Sequence, residues 1–206
     1  MTQTKPAPSR RAQVRMQQEA DQSQAKRRAT IGRAVSAVVV VLILAVTAYG
    51  LWSAAPQQSE ASGAAPDFTL SRTDGSTVTL SSLRPDPVIL YFNEGAGCAS
   101  CTVQMAEIEK HPGFEEAGIT VLPIVMNTAE QIMPDLAQFG VKTPVLLDDG
   151  TVSKAYDFLD KGMHAGLPGH GFVLIDGEGV QRWSALYPSM WLEPEELLKE
   201  ATSRLG

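Results

Sequence analysis

Residues 87–101 read PVILYFNEGAGCASC. The first part, Pro87 to Phe92, is a continuous apolar run rich in β-branched and aromatic side chains, the pattern of a central strand covered on both faces. The last part holds the only two cysteines of the chain, Cys98 and Cys101, two residues apart. Asn93 to Gly97 is a glycine-rich turn between them. From Cys101 the spacing turns helical through Val103 and Ala106 to Lys110, and His111-Pro112-Gly113 stops it. The strand points straight at the cysteines.

A C-x-x-C pair has three ordinary readings: a redox dithiol, half of a metal site, or two unrelated neighbours. A structural zinc site needs four ligands, from a second such pair or from two histidines at short spacing. The chain has no second C-x-x-C, and His111, His164 and His170 form no H-x(3–5)-H pair. Redox chemistry is the favoured reading, with no metal and no cofactor expected.

Working outward, Pro66 to Leu70 is a short extended stretch, and the turn signal Asp74-Gly75 before Thr77 to Leu80 predicts a hairpin. Downstream, Ile119 to Val125 predicts a strand, and Thr128 caps a helix over 129–139 with Pro134 inside it. Val145 to Leu147 is a short strand and Val152 to Leu159 a helical turn or two. Phe172 to Ile175 and Val180 to Trp183 are strands joined at Asp176-Gly177-Glu178-Gly179, and 193–205 is an amphipathic helix. Alternating β and α elements with an antiparallel hairpin near the end indicate an α/β sandwich of three layers around a mixed sheet.

The N-terminal part is different in kind. Residues 34–55 run 22 residues without a charge, about 33 Å of helix at ~1.5 Å per residue, against a bilayer core of roughly 30 Å. Residues 1–33 hold eight Lys or Arg against Glu19 and Asp21, a net of +6, so the remainder of this −6 chain carries −12. The positive-inside rule predicts a basic cytoplasmic tail over 1–33, a single-pass transmembrane anchor over 34–55 and an extracytoplasmic domain. An uncleaved anchor is favoured over a signal peptide, whose apolar core is shorter. Residues 56–65, PQQSEASGAA, are expected to be a polar linker, and 66–206 the folded domain. So acidic a domain excludes nucleic acid as the expected partner and leaves the lipid bilayer as the one for the N-terminal segment.

The strand VILYF, the loop NEGAG, the CASC pair and the following helix resemble the thioredoxin-like superfamily. The entry APDFTL, then DGSTVTLSSL, TPVLLDDGTVSKAYDF and GLPGHGFVLIDGEGV are similar to its redoxin branch, which groups AhpC/TSA peroxiredoxins with membrane-tethered bacterial thiol-disulfide oxidoreductases. The likeness spans nearly all of 66–206. It implies that Cys98 is the nucleophile at a helix start and Cys101 the resolving thiol one turn in. Elementary chemistry agrees, since a helix N-terminus stabilises a thiolate and i, i+3 spacing lets the second sulfur reach a mixed disulfide on the first.

The resemblance also implies a cis-proline opposite the dithiol. Pro168, in Gly166-Leu167-Pro168-Gly169-His170-Gly171, is the expected one, with Pro144 the other contender, so Leu167 and Pro168 would shape a partner groove. Two departures stand out. Thioredoxins carry Gly-Pro between the cysteines, where this chain has Ala99-Ser100. Peroxiredoxins carry P-x-x-x-T-x-x-C, where counting back from Cys98 gives Tyr91 and Gly95, and from Cys101 gives Glu94 and Cys98. Glu94, His164 and His170 are candidates for proton transfer, against the plainer reading of each as a solvated loop residue. A copper site using the cysteines and a histidine is a further alternative. Tyr187, Pro188, Met190 and Trp191 are read as packing rather than a peptide-contact rim.

The expected function is a membrane-anchored, extracytoplasmic thiol-disulfide oxidoreductase acting on protein thiols or disulfides with a membrane or extracytoplasmic redox partner. The alternatives are a thiol peroxidase that uses a small peroxide and a copper chaperone.

Overall fold

The computed structural model describes residues 9–206, so the start of the basic tail, with Lys5, lies outside the described residues. Two compact units divide at Trp52 and Ser53. Among the described residues the first holds one helix, α1 (Arg10–Ser53), of 44 residues. It begins well before the uncharged stretch and takes in basic residues 10–33. Its apolar side chains, Val38 to Trp52 among them, are exposed.

The second unit is built on an eight-stranded mixed sheet. In chain order the elements are β1 (Gln57–Ala64), β2 (Thr69–Arg72), β3 (Thr77–Thr79), β4 (Val88–Phe92), α2 (Ala99–Lys110), α3 (Gly113–Glu116), β5 (Thr120–Val125), α4 (Ala129–Phe139), β6 (Leu146–Leu147), α5 (Thr151–Ala155), β7 (Gly171–Ile175), β8 (Val180–Leu186) and α6 (Pro194–Leu205). The strand order is β1-β8-β7-β4-β5-β6-β2-β3. The β4–β5 and β5–β6 pairs are parallel and the others antiparallel.

β4 lies fourth in that order and all five of its residues are buried. Ile89 and Tyr91 face one core with Met105 and Ile108 of α2, Ile132 and Leu136 of α4, and Leu197 and Ala201 of α6. Val88, Leu90 and Phe92 face the other with Val152 and Tyr156 of the α5 segment and Leu80. Burial on both faces is why this strand reads as an unbroken apolar run. The layers are unequal: α2, α4 and α6, with Phe114 of the short α3, cover one face, while the five-residue α5 and loops cover the other.

One boundary is corrected. Residues 57–64, expected to belong to a linker, form β1, an edge strand paired antiparallel with β8 from Gln57↔Leu186 to Ala64↔Val180. Backbone pairing, which needs no particular side chains, holds it there. Elsewhere the helix signals hold. Thr128 caps α4 through a capping box with Gln131, and Gly140 closes it at φ 73°. Tyr187 and Met190 are buried, which is the packing role expected of them.

Candidate redox site

The loop from β4 to α2 is held amide by amide. Asn93 Oδ1 accepts from Gly95 N–H at 3.0 Å, Asn127 Oδ1 from Ala96 N–H at 2.8 Å, and Asp135 Oδ2 from Gly97 N–H at 2.8 Å. Cys98 N–H closes the turn on Gly95 O at 3.0 Å. These bonds deliver Cys98 to the N-cap of α2, where its Sγ accepts from Cys101 N–H at 3.3 Å. No acidic residue sits in the first turn of α2 to oppose the helix dipole there. Cys98 and Cys101 are joined as a disulfide with Cα atoms 5.3 Å apart. Cys98 is half-buried and Cys101 fully buried, so the pair is asymmetric in access.

The position facing the buried sulfur is taken by His170, whose Nδ1 lies 3.7 Å from Cys101 Sγ. The expectation of a solvated loop histidine is wrong: His170 is 1% exposed. Glycines flank it because backbone crowds in, and a Cβ on Gly171 would lie 2.3 Å from Ala185 O. Burial keeps the imidazole neutral and pulls its pKa from 6.5 to about 4, with the Glu94 charge opposing that shift. Tyr91, stacked on Phe172 at 4.7 Å, donates its hydroxyl hydrogen to Cys101 O at 3.2 Å and also contacts the imidazole.

The depressed pKa has a thermodynamic consequence. The unfolded chain takes up the histidine proton near pH 6.5 and the folded one only near 4, so stability is lost as pH falls through that window. The shift corresponds to roughly 3 kcal/mol. Urea unfolding of the oxidised protein at pH 7.5 and 4.5 is expected to show this acid loss, and His170→Gln to show less of it. An identical acid loss in the variant would contradict it.

Glu94 is likewise not a solvated loop residue. It is 3% exposed and its carboxylate accepts from Met163 N–H, from His164 N–H at 3.3 Å and from His164 Nδ1 at 2.6 Å. Glu94 and His164 therefore engage each other and pin the 160–168 loop, with His164 on the solvent side. Gly162 lets that loop approach, since a Cβ there would lie 2.4 Å from Glu94 Oε1.

The expected cis-proline is not observed. Among the described residues the one cis peptide is Arg84–Pro85, so Pro168 and Pro144 are both trans. Pro168 sits in an extended course beside 158–160: Leu159 and Pro168 form a bridge, Asp160 N–H donates to Leu167 O at 3.0 Å, and Gly169 N–H to Phe158 O at 2.8 Å. Three residues then separate Pro168 from Phe172, and it is His170 that arrives at the dithiol. Pro168 is buried and Leu167 half-buried, so only Leu167 presents surface to a groove. Among the described residues no group of three or more His, Cys, Asp or Glu side chains is arranged to hold a metal ion. Sequence reasoning missed Tyr91, Asn127 and Asp135. The first was detectable, because a tyrosine inside a fully buried strand must find a hydrogen-bond partner; the other two reach the site only through the fold.

The model of the AhpC/TSA family matches residues 61–184. The chain belongs to the AhpC/TSA family. A relative, the chloroplastic peroxiredoxin Q of Triticum aestivum, is 26% identical over 136 residues, covering 66% of this chain and 61% of its own. That of Oryza sativa subsp. japonica is 27% identical over 138 residues, covering 66% and 62%. The chain thus spans about three fifths of the length of these relatives. Among solved structures, peroxidoxin BcpB of Mycobacterium tuberculosis superposes with a TM-score of 0.60 at 19% identity, covering 71% of this chain and 99% of that one. A candidate protein disulfide isomerase of Bacteroides thetaiotaomicron gives 0.54 at 28% identity, covering 71% and 94%. The family is the redoxin branch of the thioredoxin-like superfamily that the motifs resemble, and the mixed-sheet α/β fold agrees with it.

Proposed function

We propose that this AhpC/TSA-family chain is a membrane-anchored, extracytoplasmic thiol-disulfide oxidoreductase. The observation that carries the reading is the asymmetric pair: a half-exposed Cys98 at a helix N-cap, joined across one turn to a fully buried Cys101. The exposed sulfur suits attack on a partner's disulfide, and the buried one suits intramolecular resolution. Leu167, with Pro168 behind it, forms part of the partner groove.

Anchoring rests on α1, the one helix among the described residues long and apolar enough to cross a membrane, and on the basic residues that precede its apolar stretch. Orientation rests on that charge alone. Fractionation with thiol labelling from each side of the membrane tests both; a soluble, shortened product sinks the anchor.

Thiol peroxidase activity is the second reading, favoured by the peroxiredoxin Q relatives. The partner is then a small peroxide, with a thioredoxin-like reductant restoring the dithiol. The equilibrium reduction potential of the Cys98–Cys101 couple, with the rate of its oxidation by hydrogen peroxide, separates the two. A reductant is expected near the thioredoxin value of about −270 mV and an oxidase roughly 150 mV higher. Failure of the two cysteines to form an intramolecular disulfide overturns the exchange mechanism.

A further inference from the structure

A buried resolving thiol has a difficulty that an exposed one lacks. Cys101 must lose its proton to attack the mixed disulfide on Cys98, yet it is 0% exposed. Water cannot take the proton, so the protein has to.

Three contacts identify the acceptor. His170 Nδ1 is 3.7 Å from Cys101 Sγ, within reach of a sulfur hydrogen bond. Tyr91 has a single hydroxyl hydrogen, donated to Cys101 O at 3.2 Å, and burial holds the phenol protonated. Its oxygen can then only accept from the ring, whose Nδ1 and Nε2 lie 3.2 and 3.4 Å away. The arrangement that serves both neighbours puts the ring hydrogen on Nε2, toward Tyr91, and turns the Nδ1 lone pair to the sulfur. Glu94, the other charged group acting on the ring, is committed to the 163–164 amides and to His164. Just past β8, Tyr187 N–H donates to His170 O at 2.8 Å.

We infer that His170 is the general base of the resolving step, with Tyr91 positioning its ring, and that neither serves the exposed Cys98. This rests on the dithiol-exchange reading above. In the step, the Cys101 S–H proton passes to Nδ1 as Cys101 Sγ attacks Cys98 Sγ. The bond from Cys98 to the partner sulfur breaks, and the partner leaves as a thiolate that recovers the proton from the imidazolium. The two cysteines are oxidised and the partner disulfide is reduced, with no other reactant. A thiolate forming beside the ring stabilises the imidazolium, which offsets the weak basicity that burial imposes. The reverse reaction uses the imidazolium to protonate Cys101 as it leaves.

The test separates the two sulfurs in time. Reduced full-length protein in detergent is mixed with dithionitrobenzoate from pH 5 to 8. One thionitrobenzoate is released when Cys98 is captured and a second when Cys101 closes the disulfide. With His170 acting as base, the second phase in the natural protein is nearly independent of pH across this range. In His170→Gln it is expected to slow at least about tenfold at pH 7. Its rate then tracks the ionised thiol and falls about tenfold per pH unit on acidification. The first phase keeps its rate within about twofold. Tyr91→Phe, which keeps the stacking on Phe172, is expected to slow only the second phase, and it tests the relay even if the histidine variant fails to fold. Equal second phases with equal pH profiles in natural and variant proteins overturn the role of His170 while leaving dithiol exchange intact. Release of only one thionitrobenzoate by the natural protein overturns both.

Discussion

Replacing Cys98 by serine is expected to lower the rate of disulfide exchange by at least about 10³-fold. The other cysteine cannot substitute: Cys101 is fully buried, whereas Cys98 is half-buried and caps α2. Replacing Cys101 by serine produces a different defect. Cys98 still attacks, but the mixed disulfide has no internal thiol to resolve it, so the adduct accumulates and turnover stops after one event. Mass spectrometry of the full chain after exposure to a disulfide substrate distinguishes the cases: no adduct with Cys98→Ser, a persistent one with Cys101→Ser, and an intramolecular disulfide in the natural protein. A persistent adduct on Cys101 in the Cys98→Ser form would reverse the assignment of the two sulfurs. Peroxidase chemistry makes the same demand on Cys98, so this pair of variants tests the asymmetry of the site rather than the identity of its oxidant.

What was legible in the sequence follows from how each signal is encoded. β4, its loop and α2 were legible because their signals are local: an apolar run, the loop triplet Gly95-Ala96-Gly97, and a helical spacing stopped by His111-Pro112-Gly113. The capping box of α4 was legible for the same reason. β1 was not. QQSEASGA has neither alternation nor β-branched residues, and its strand exists because β8 offers an edge to pair with. His170 and Glu94 failed in a related way. Each sits among glycines in a stretch that reads as solvated loop, and each is buried because another segment folds over it, β4 and α2 in the first case and 162–164 in the second. The proline expected at the dithiol was placed from its sequence neighbourhood, yet the three residues between Pro168 and Phe172 shift the register so that a histidine stands there instead.

Gly95 and Gly97 provide the sharpest stability contrast in the site, because both have positive φ, 76° and 88°, and only one is crowded. A left-handed backbone costs an L-residue roughly 1–2 kcal/mol, and Gly97→Ala should cost about that, since nothing lies within 4 Å of its added Cβ. At Gly95 the Cβ would lie 1.9 Å from Asn127 Oδ1 and 3.0 Å from Val125 Cβ. Asn127 must swing away, and the Ala96 N–H that it accepts from at 2.8 Å loses its partner, a further ~1–3 kcal/mol. Gly95→Ala is therefore expected to destabilise the domain by about 3 kcal/mol in urea titration. The damage also reaches the chemistry, because Gly95 O accepts from Cys98 N–H and fixes the start of α2. Deleting the obstacle isolates the cause. In an Asn127→Ala background the collision with the carboxamide is gone, and Gly95→Ala should cost only its backbone strain and the 3.0 Å approach to Val125 Cβ, giving a coupling of about 1 kcal/mol or more between the two sites. Equal costs for the Gly95 and Gly97 variants, or strict additivity with Asn127→Ala, would show that the amide clamp on this loop is not what sets Cys98 in place.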